Sequence, residues 1–376
     1  MSAEGRLVTA IGDLATGRLR EVIASQVDED NFEFYDPPSD KSGSGIAVEA
    51  LLRRLHAGVI QLARELLVAP RERVAADATL ESRRIFAQVR ALSVAVIEDV
   101  FDEDGPQVFS AFPGPLHIAK LLLAVSDNLA EAALCRVPAP DGVDPGAWWQ
   151  FIRRAARKRP YLWRNHREAL EKGYLAKGVS AAVSFPTGGG KSTLAELKIA
   201  AALLGGGQVV VLAPTLALVD QTAFTLGNAF KDYTVLGDLD DEITFSDVLE
   251  LPEIIVTTPE RCLVLQSIQP EAFAQVALVV FDECHLLHPR ESDRSRRAID
   301  AMLCILNLTS YAPDADLLLV SAMMQNAEEM AGWVAELTGR PCLPLDLAWK
   351  PTRQARGCVA YEAARITELN KLLATE

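Results

Sequence analysis

The chain has 376 residues, is 49% hydrophobic and carries a net charge of −14. That length suits two or three domains with sizeable cores, and the acidic balance argues against the uniformly basic surface that polyanion binders often show. Six cysteines (Cys135, Cys262, Cys284, Cys304, Cys342 and Cys358) without a C-x-x-C pair indicate neither a zinc ribbon nor a dithiol redox motif. No apolar run approaches the roughly 18 residues of a membrane span. The N-terminus lacks a charged-then-apolar leader, so a reducing cytoplasm is the expected compartment.

Residues 1–36 read as a small strand–helix unit ending in an acidic aromatic patch, and residues 37–45 have the composition of a linker. Over residues 46–68 the spacing of Val48, Leu51, Leu52, Leu55, Val59, Leu62 and Leu66 predicts an amphipathic helix. Residues 80–100 and 115–134 read as further helices, with apolar faces broad enough to require packing together. Residues 1–150 are therefore expected to form a helical accessory domain, structural or regulatory in role. Trp148 and Trp149 open another helix, where core anchoring is the expected role and base stacking the alternative. That helix leads into a basic stretch: residues 153–178 hold nine Lys/Arg against two Asp/Glu. It has two readings, a contact for nucleic-acid phosphates through residues 153–159 or an amphipathic basic helix paired to the acidic N-terminal region.

From Gly178 onward strands and helices alternate. Residues 181–185, 208–212, 234–236, 254–257, 278–282 and 317–321 are apolar without alternation, which suits a parallel sheet covered on both faces. The first strand runs into Pro186-Thr187-Gly188-Gly189-Gly190-Lys191-Ser192-Thr193, and an Ala/Leu-rich helix follows. Strand, glycine loop, helix is the setting of a phosphate cradle. The glycines let the backbone wrap around phosphate oxygens, and the helix start adds partial positive charge. Lys191 is expected to reach the β- and γ-phosphates of ATP or another NTP, and Ser192 to offer its hydroxyl to Mg²⁺. Phe185 stands where the common pattern has Gly or Ala, a change expected to alter packing beneath the loop. A later strand ends in Asp282-Glu283-Cys284-His285. Asp282 is expected to hold Mg²⁺, Glu283 to orient or deprotonate the attacking water, and His285 to sense the γ-phosphate side. Residues 290–297 read as a charged loop.

These motifs resemble the superfamily 2 helicases of the DExH type, over residues 159–359, the length of one RecA-like lobe. Pro186 to Ser192 look like the RecQ form of motif I. Pro214-Thr215-Leu216-Ala217-Leu218-Val219-Asp220-Gln221 looks like motif Ia, Thr258-Pro259-Glu260-Arg261 like motif Ib, and Asp282-Glu283-Cys284-His285 like motif II. Ser321-Ala322-Met323-Met324 stands where Ser-Ala-Thr is usual in motif III. Asn326-Ala327-Glu328-Glu329-Met330-Ala331-Gly332-Trp333 is similar to the stretch after motif III in superkiller-like helicases. The resemblance implies ATP and Mg²⁺ as cofactors. It implies nucleic-acid backbone contacts at Thr215, Thr258 and Arg261, and coupling of ATP state to strand movement at Ser321 and Ala322. The family's adenine-reading glutamine is replaced: Asn165 or His166 stands near its position, and His166 is the expected ATP contact. Met323 removes a coupling hydroxyl from motif III. The arginine-bearing motif of a second lobe, resembling Gln-x-x-Gly-Arg-x-x-Arg, is not found after Val359.

The expected architecture is an α/β, RecA-like P-loop NTPase lobe with a mostly parallel sheet at residues 151–362, preceded by the α-helical domain. Residues 363–376 are expected to start a second lobe or a tail. The expected function is the N-terminal portion of an ATP-dependent DNA or RNA helicase or translocase. Its partner is single-stranded nucleic acid, with DNA favoured over RNA by the glycine triplet, together with a second-lobe chain or partner protein and no membrane. The alternative is a nucleotide-binding regulatory or scaffold protein without motor activity. A P-loop kinase is disfavoured by motifs Ia, Ib and III.

Overall fold

Leu7, Ala10, Leu14, Leu19 and Val22 recur at helical spacing near the start of the chain, and all five are buried. They lie on helices α1 (Ala3–Ala15) and α2 (Leu19–Ala24). The strand expected here is absent among the described residues, because a 3–4 repeat favours a helix over a two-residue alternation. The computed structural model describes residues 2–26, 43–68, 80–97, 107–237, 251–287, 292–322 and 326–347, together with residues 324, 349 and 365. The acidic patch, residues 37–42 of the expected linker, Met323 and nearly all of 363–376 lie outside the described residues.

Helix α3 (Gly43–Leu66) begins inside the stretch read as a linker. A first helical turn has no intrahelical partner for its N–H groups, so Gly43, Ser44 and Gly45 are tolerated there. Helix α4 (Glu81–Leu92) ends well short of residue 100. Val94-Ala95-Val96-Ile97 instead forms β1 (Val94–Ile97), paired antiparallel with β2 (Gln107–Ser110). Three β-branched residues in four lose rotamer freedom in a helix and suit a pleated ladder. Helix α5 (Pro113–Ala132) starts on a proline. The apolar faces of α1 to α5 meet in one cluster running from Leu7 to Ala133, with Leu55, Val59 and Phe86 at its centre.

A second body of core begins at Leu134. Helix α6 (Pro145–Ala156) is capped by Asp144, and Trp148 is buried within it, donating Nε1–H to the Val137 carbonyl at 3.1 Å. The tryptophan anchors the core, as expected. Helix α7 (Arg164–Glu171) follows. Then come β3 (Ser180–Ser184), α8 (Lys191–Leu204), β4 (Gln208–Leu212), α9 (Leu216–Ala229), β5 (Val235–Leu236) and β6 (Ile254–Thr257). The chain continues through α10 (Pro259–Ile268), β7 (Val276–Asp282), α11 (Ser292–Tyr311), β8 (Asp316–Ser321), α12 (Ala327–Thr338) and β9 (Cys342–Asp346). Helix α11 takes in residues 292–297, which were expected to be a loop. Ala298, Ala301, Cys304, Ile305 and Leu308 supply the buried helical repeat that carries the charged segment with it.

Strands β3 to β9 form a parallel sheet of seven in the order β5-β6-β4-β7-β8-β3-β9. Successive residues of a strand point to opposite faces. Val183, Val209, Val211 and Val280 enter the core on one face; Ala182, Val210, Leu212 and Phe281 enter the core on the other. Burial on both faces is why these strands read as unbroken apolar runs. The edges differ from the centre: β5 has two residues, and β9 carries Pro344 opposite Ala182 of β3. No helix among the described residues is long and apolar enough to cross a membrane.

Candidate active site

The glycine loop leaves the carboxyl end of β3 and enters α8. Phe185 is fully buried beneath it, in the cluster that holds Val183, Leu194 and Leu197. Gly188 and Gly190 adopt φ of 77° and 92°, the left-handed region open to glycine. A Cβ on Gly190 would also run into the His166 ring. Gly190 is the N-cap of α8, so Lys191 opens the helix beside its unpaired first-turn N–H groups. Thr187, Gly188 and Ser192 are exposed, and Pro186 and Lys191 are half-exposed. The Thr193 hydroxyl accepts from Arg159 at 3.2 Å, and Arg159 also pairs with Glu196.

His166 sits under this loop as a brace. The Trp163 backbone N–H donates to Nδ1 at 3.1 Å, and Nε2 lies 3.0 Å from the Gly190 carbonyl oxygen. An accepting Nδ1 leaves the proton on Nε2, which donates to Gly190 as a neutral ring. Burial pushes His166 down to about 4; the Gly190 bond opposes that shift and the charge of Arg159 adds to it. Trp163 stacks on the imidazole with ring centres 5.5 Å apart, and Trp349 lies 6.2 Å from Trp163. Asn165, fully buried, donates to the carbonyls of Gly189 at 3.3 Å and Trp349 at 2.9 Å. Both residues near the expected adenine-reading position therefore direct donors at the loop backbone. Trp163 and Trp349 were not anticipated, since nothing in the local sequence says that an aromatic near residue 349 returns to the loop.

Asp282 ends β7. Strands β3 and β7 both flank β8, so the loop and the carboxylates stand two strand spacings apart, roughly 10 Å. Ser321 closes β8 between them, opposite Ser184 of β3. Glu283 is the one non-glycine with positive φ among the described residues, at 52°, a conformation that costs on the order of 1–3 kcal/mol and clusters at functional sites. Its Oε2 lies 3.2 Å from His285 Nδ1, which is also 3.2 Å from the buried Ser321 Oγ. A carboxylate can only accept, so Nδ1 carries the proton in this contact. Asp282 Oδ1 accepts the Glu283 N–H at 3.0 Å. Burial and the neighbouring Glu283 push the Asp282 carboxyl up, while Lys191 and His285 pull it back. Ser184 donates to the Met324 carbonyl at 2.6 Å, joining the loop strand to the segment after Ser321 and the half-buried Ala322.

No three His, Cys, Asp or Glu side chains gather closely enough to hold a metal among the described residues. The donors present fit a cation completed by phosphate oxygens and water: the exposed Ser192 hydroxyl and an oxygen of Asp282. Burial first and the adjacent Glu283 second favour the protonated Asp282 carboxyl, so a cation beside it would restore the carboxylate. That donor set, one carboxylate and one hydroxyl, suits Mg²⁺.

Thr215 and Thr258 cap α9 and α10, their hydroxyls accepting the N–H of Leu218 and of Arg261, each at 3.4 Å. Pro259 and Glu260 fill the first turn of α10, which is the expected capping pattern. The two helices follow neighbouring strands β4 and β6, so both threonines lie at the same carboxyl-terminal sheet edge as the loop. Thr215 is exposed, Thr258 buried and Arg261 half-buried. In the basic stretch, Arg154 pairs with Asp232 at 2.8 Å and Arg159 with Glu196. Those two partners belong to the sheet region, and the acidic N-terminal segment of the alternative reading lies outside the described residues. Arg167 reaches toward the N-terminal helices, with Glu131 at 3.4 Å.

Residues 163–330 match the family model described as DEAD/DEAH box helicase. This segment is a superfamily 2 helicase lobe. The chain is 30% identical over 200 residues to the ATP-dependent DNA helicase Hel308 of Pyrococcus horikoshii, covering 50% of this chain and 25% of that protein. It is 30% identical over 178 residues to the DExH-box ATP-dependent RNA helicase DExH10 of Arabidopsis thaliana, covering 47% of this chain and 16% of the relative. The Homo sapiens exosome RNA helicase MTR4 is 27% identical over 252 residues, 66% of this chain and 23% of the relative. The chain thus spans a quarter or less of the length of these relatives. Among solved structures, the DUF1998 helicase MrfA superposes with a TM-score of 0.44 and 19% identity, over 63% of this chain and 37% of that one.

Proposed function

We propose that this chain is the N-terminal part of a helicase or translocase that binds ATP with Mg²⁺ and uses its hydrolysis to move along single-stranded nucleic acid. The observation that carries this reading is the placement of the glycine loop and Asp282-Glu283 two strands apart on one sheet edge, joined through His285 and Ser321. Lys191 and the N–H groups of Gly188, Gly190 and the first turn of α8 hold the phosphates; the Gly189 N–H closes the loop on the Pro186 carbonyl at 2.8 Å, with Thr187 and Thr193 completing it. Ser192 and Asp282 would hold Mg²⁺, which when bound neutralises phosphate charge. Glu283 orients the attacking water and takes its proton. His285 positions that carboxylate, and Ser321 with Ala322 passes its state along β8. His166 contributes by bracing the loop. Thr215, Thr258 and Arg261 hold nucleic-acid phosphates at two helix starts.

In this reading residues 1–150 are an accessory region and 151–362 the motor lobe, although packing already joins Leu134 to the lobe core. A second lobe, in this protein or a partner, supplies the completing arginine, and the protein works in the cytoplasm. The glycine triplet favours DNA; the relatives named above include a DNA helicase and RNA helicases. Titration of a fluorescent ATP analogue tests the core of the proposal. Lys191→Ala removes charge-assisted phosphate bonds contributing about 1.5–3 kcal/mol, so affinity should fall at least about tenfold. Equal affinity for both proteins would reject the site.

A further inference from the structure

On the reading of the glycine loop as the triphosphate site, we infer that Asn165 positions its phosphate cradle and is itself held by the chain at Trp349. The segment following β9 is thereby a working part of the nucleotide site. Asn165 is fully buried in the first turn of α7. Its amide nitrogen carries two N–H groups, which meet the Gly189 carbonyl at 3.3 Å and the Trp349 carbonyl at 2.9 Å. Its Oδ1 is buried without a hydrogen-bond partner among the described residues. An unmatched buried acceptor is destabilising and calls for a reason; a leucine of similar size would avoid it. What only the asparagine supplies is a pair of donors, joining stretches of chain 24 and 184 residues away from it.

A planar trans peptide holds its C=O and the next residue's N–H on opposite sides. Asn165 draws the Gly189 carbonyl to the buried side of the loop, which turns the Gly190 N–H toward the exposed side, where Thr187, Gly188 and Ser192 lie. His166 acts alike one residue on: its hold on the Gly190 carbonyl at 3.0 Å turns the Lys191 N–H outward. Two successive outward N–H groups, next to a left-handed Gly190 at a helix start, make a concave seat for an anion. Trp349 fixes the other end of this arrangement. It lies three residues beyond β9, the strand paired with β3, which feeds the loop. Its carbonyl holds Asn165, and its ring lies 6.2 Å from Trp163, which stacks on His166. Both orienting side chains are thus tied to one point of the chain. By linkage, whatever the seating of Trp349 adds to phosphate affinity, bound phosphate adds equally to the seating of Trp349.

The experiment uses the full chain and two variants. Asn165→Leu keeps the bulk and removes both donors; Trp349→Ala truncates a partly exposed ring, a change the fold is expected to tolerate. Affinity for the fluorescent ATP analogue is measured together with hydrogen–deuterium exchange of the peptide containing Trp349, with and without the analogue. Asn165→Leu should bind the analogue roughly tenfold more weakly, and Trp349→Ala should shift affinity in the same direction. The analogue should slow exchange of that peptide in the parent and should not do so in Asn165→Leu, even at saturation. A merely structural asparagine would lower the melting temperature and leave the nucleotide-dependent protection in place, a result that overturns the inference. Parent affinity in Trp349→Ala overturns it as well, and decides alone if Asn165→Leu does not fold. A parent chain that fails to bind the analogue, or binds it equally after Lys191→Ala, rejects the site and this inference with it. A Lys191-dependent site indifferent to Asn165 and Trp349 rejects the inference only.

Discussion

Burial and the Trp163 N–H aimed at Nδ1 both favour a neutral ring at His166, and only the bond to Gly190 favours charge. The folded pKa of about 4 lies below the ordinary 6.5. The unfolded chain therefore binds a proton in this window that the folded chain does not. The stability His166 contributes is present above 6.5 and is lost as pH falls toward 4. Over that interval the loss is on the order of 3 kcal/mol. His166→Gln should flatten this part of the pH dependence when urea-unfolding free energies are compared at the two ends of the window. An unchanged dependence in the variant would show that the ring is not held neutral. Because the ring supports Gly190, acidification should also loosen the phosphate loop before the rest of the lobe unfolds.

Lys198 gives α8 a buried anchor far from the loop it helps position. Its ammonium donates to the carbonyls of Tyr174, Ala176 and Val179 at 3.1, 3.0 and 2.7 Å and pairs with Asp316 of β8 at 3.0 Å. Asp316 also meets Arg340, just before β9, at 3.3 Å. Desolvation pulls the Lys198 pKa down and Asp316 pushes it back. Asp316→Ala leaves a buried ammonium uncompensated and should destabilise the protein by about 3–5 kcal/mol in chemical denaturation. Replacing both partners, as Lys198→Met with Asp316→Leu, should recover much of that loss; a single variant as stable as the parent would exclude the anchor. None of this could be read from sequence, because Lys198 and Asp316 lie on separate elements of the chain and meet only in the folded lobe. The central strands could be read, since burial on both faces writes an apolar run into the chain. Strand β9 was hidden by Pro344, and β1 by its continuity with the apolar pattern of α4. At the site, the loop and Asp282-Glu283 were legible because their chemistry is written into consecutive residues. The Trp163–His166–Gly190 stack and the return of Trp349 were not, because they are tertiary contacts. The left-handed backbone of Glu283 has no sequence signature at all.

At the scale of the molecule, a net charge of −14 opposes any polyanion, so nucleic-acid binding by this chain should be weak and strongly salt-dependent. Arg154 and Arg159 are already paired within the lobe, which leaves the capped starts of α9 and α10 as the proposed contact. Each phosphate neutralised contributes about −0.7 to the slope of log K against log salt for a single strand. Arg261→Ala should make that slope shallower by about this amount in anisotropy titrations with a labelled oligonucleotide. An unchanged slope would remove Arg261 from the interface. The sheet itself sets a further limit on how other proteins can attach. An open edge normally invites a neighbour to extend the sheet, backbone to backbone. Among the described residues one border is a two-residue strand, and the other contains a proline that has no N–H to offer. Neither border is a good template for strand addition. Companions of this lobe are therefore expected to engage its loops and helical faces, where the choice of partner is made by side chains.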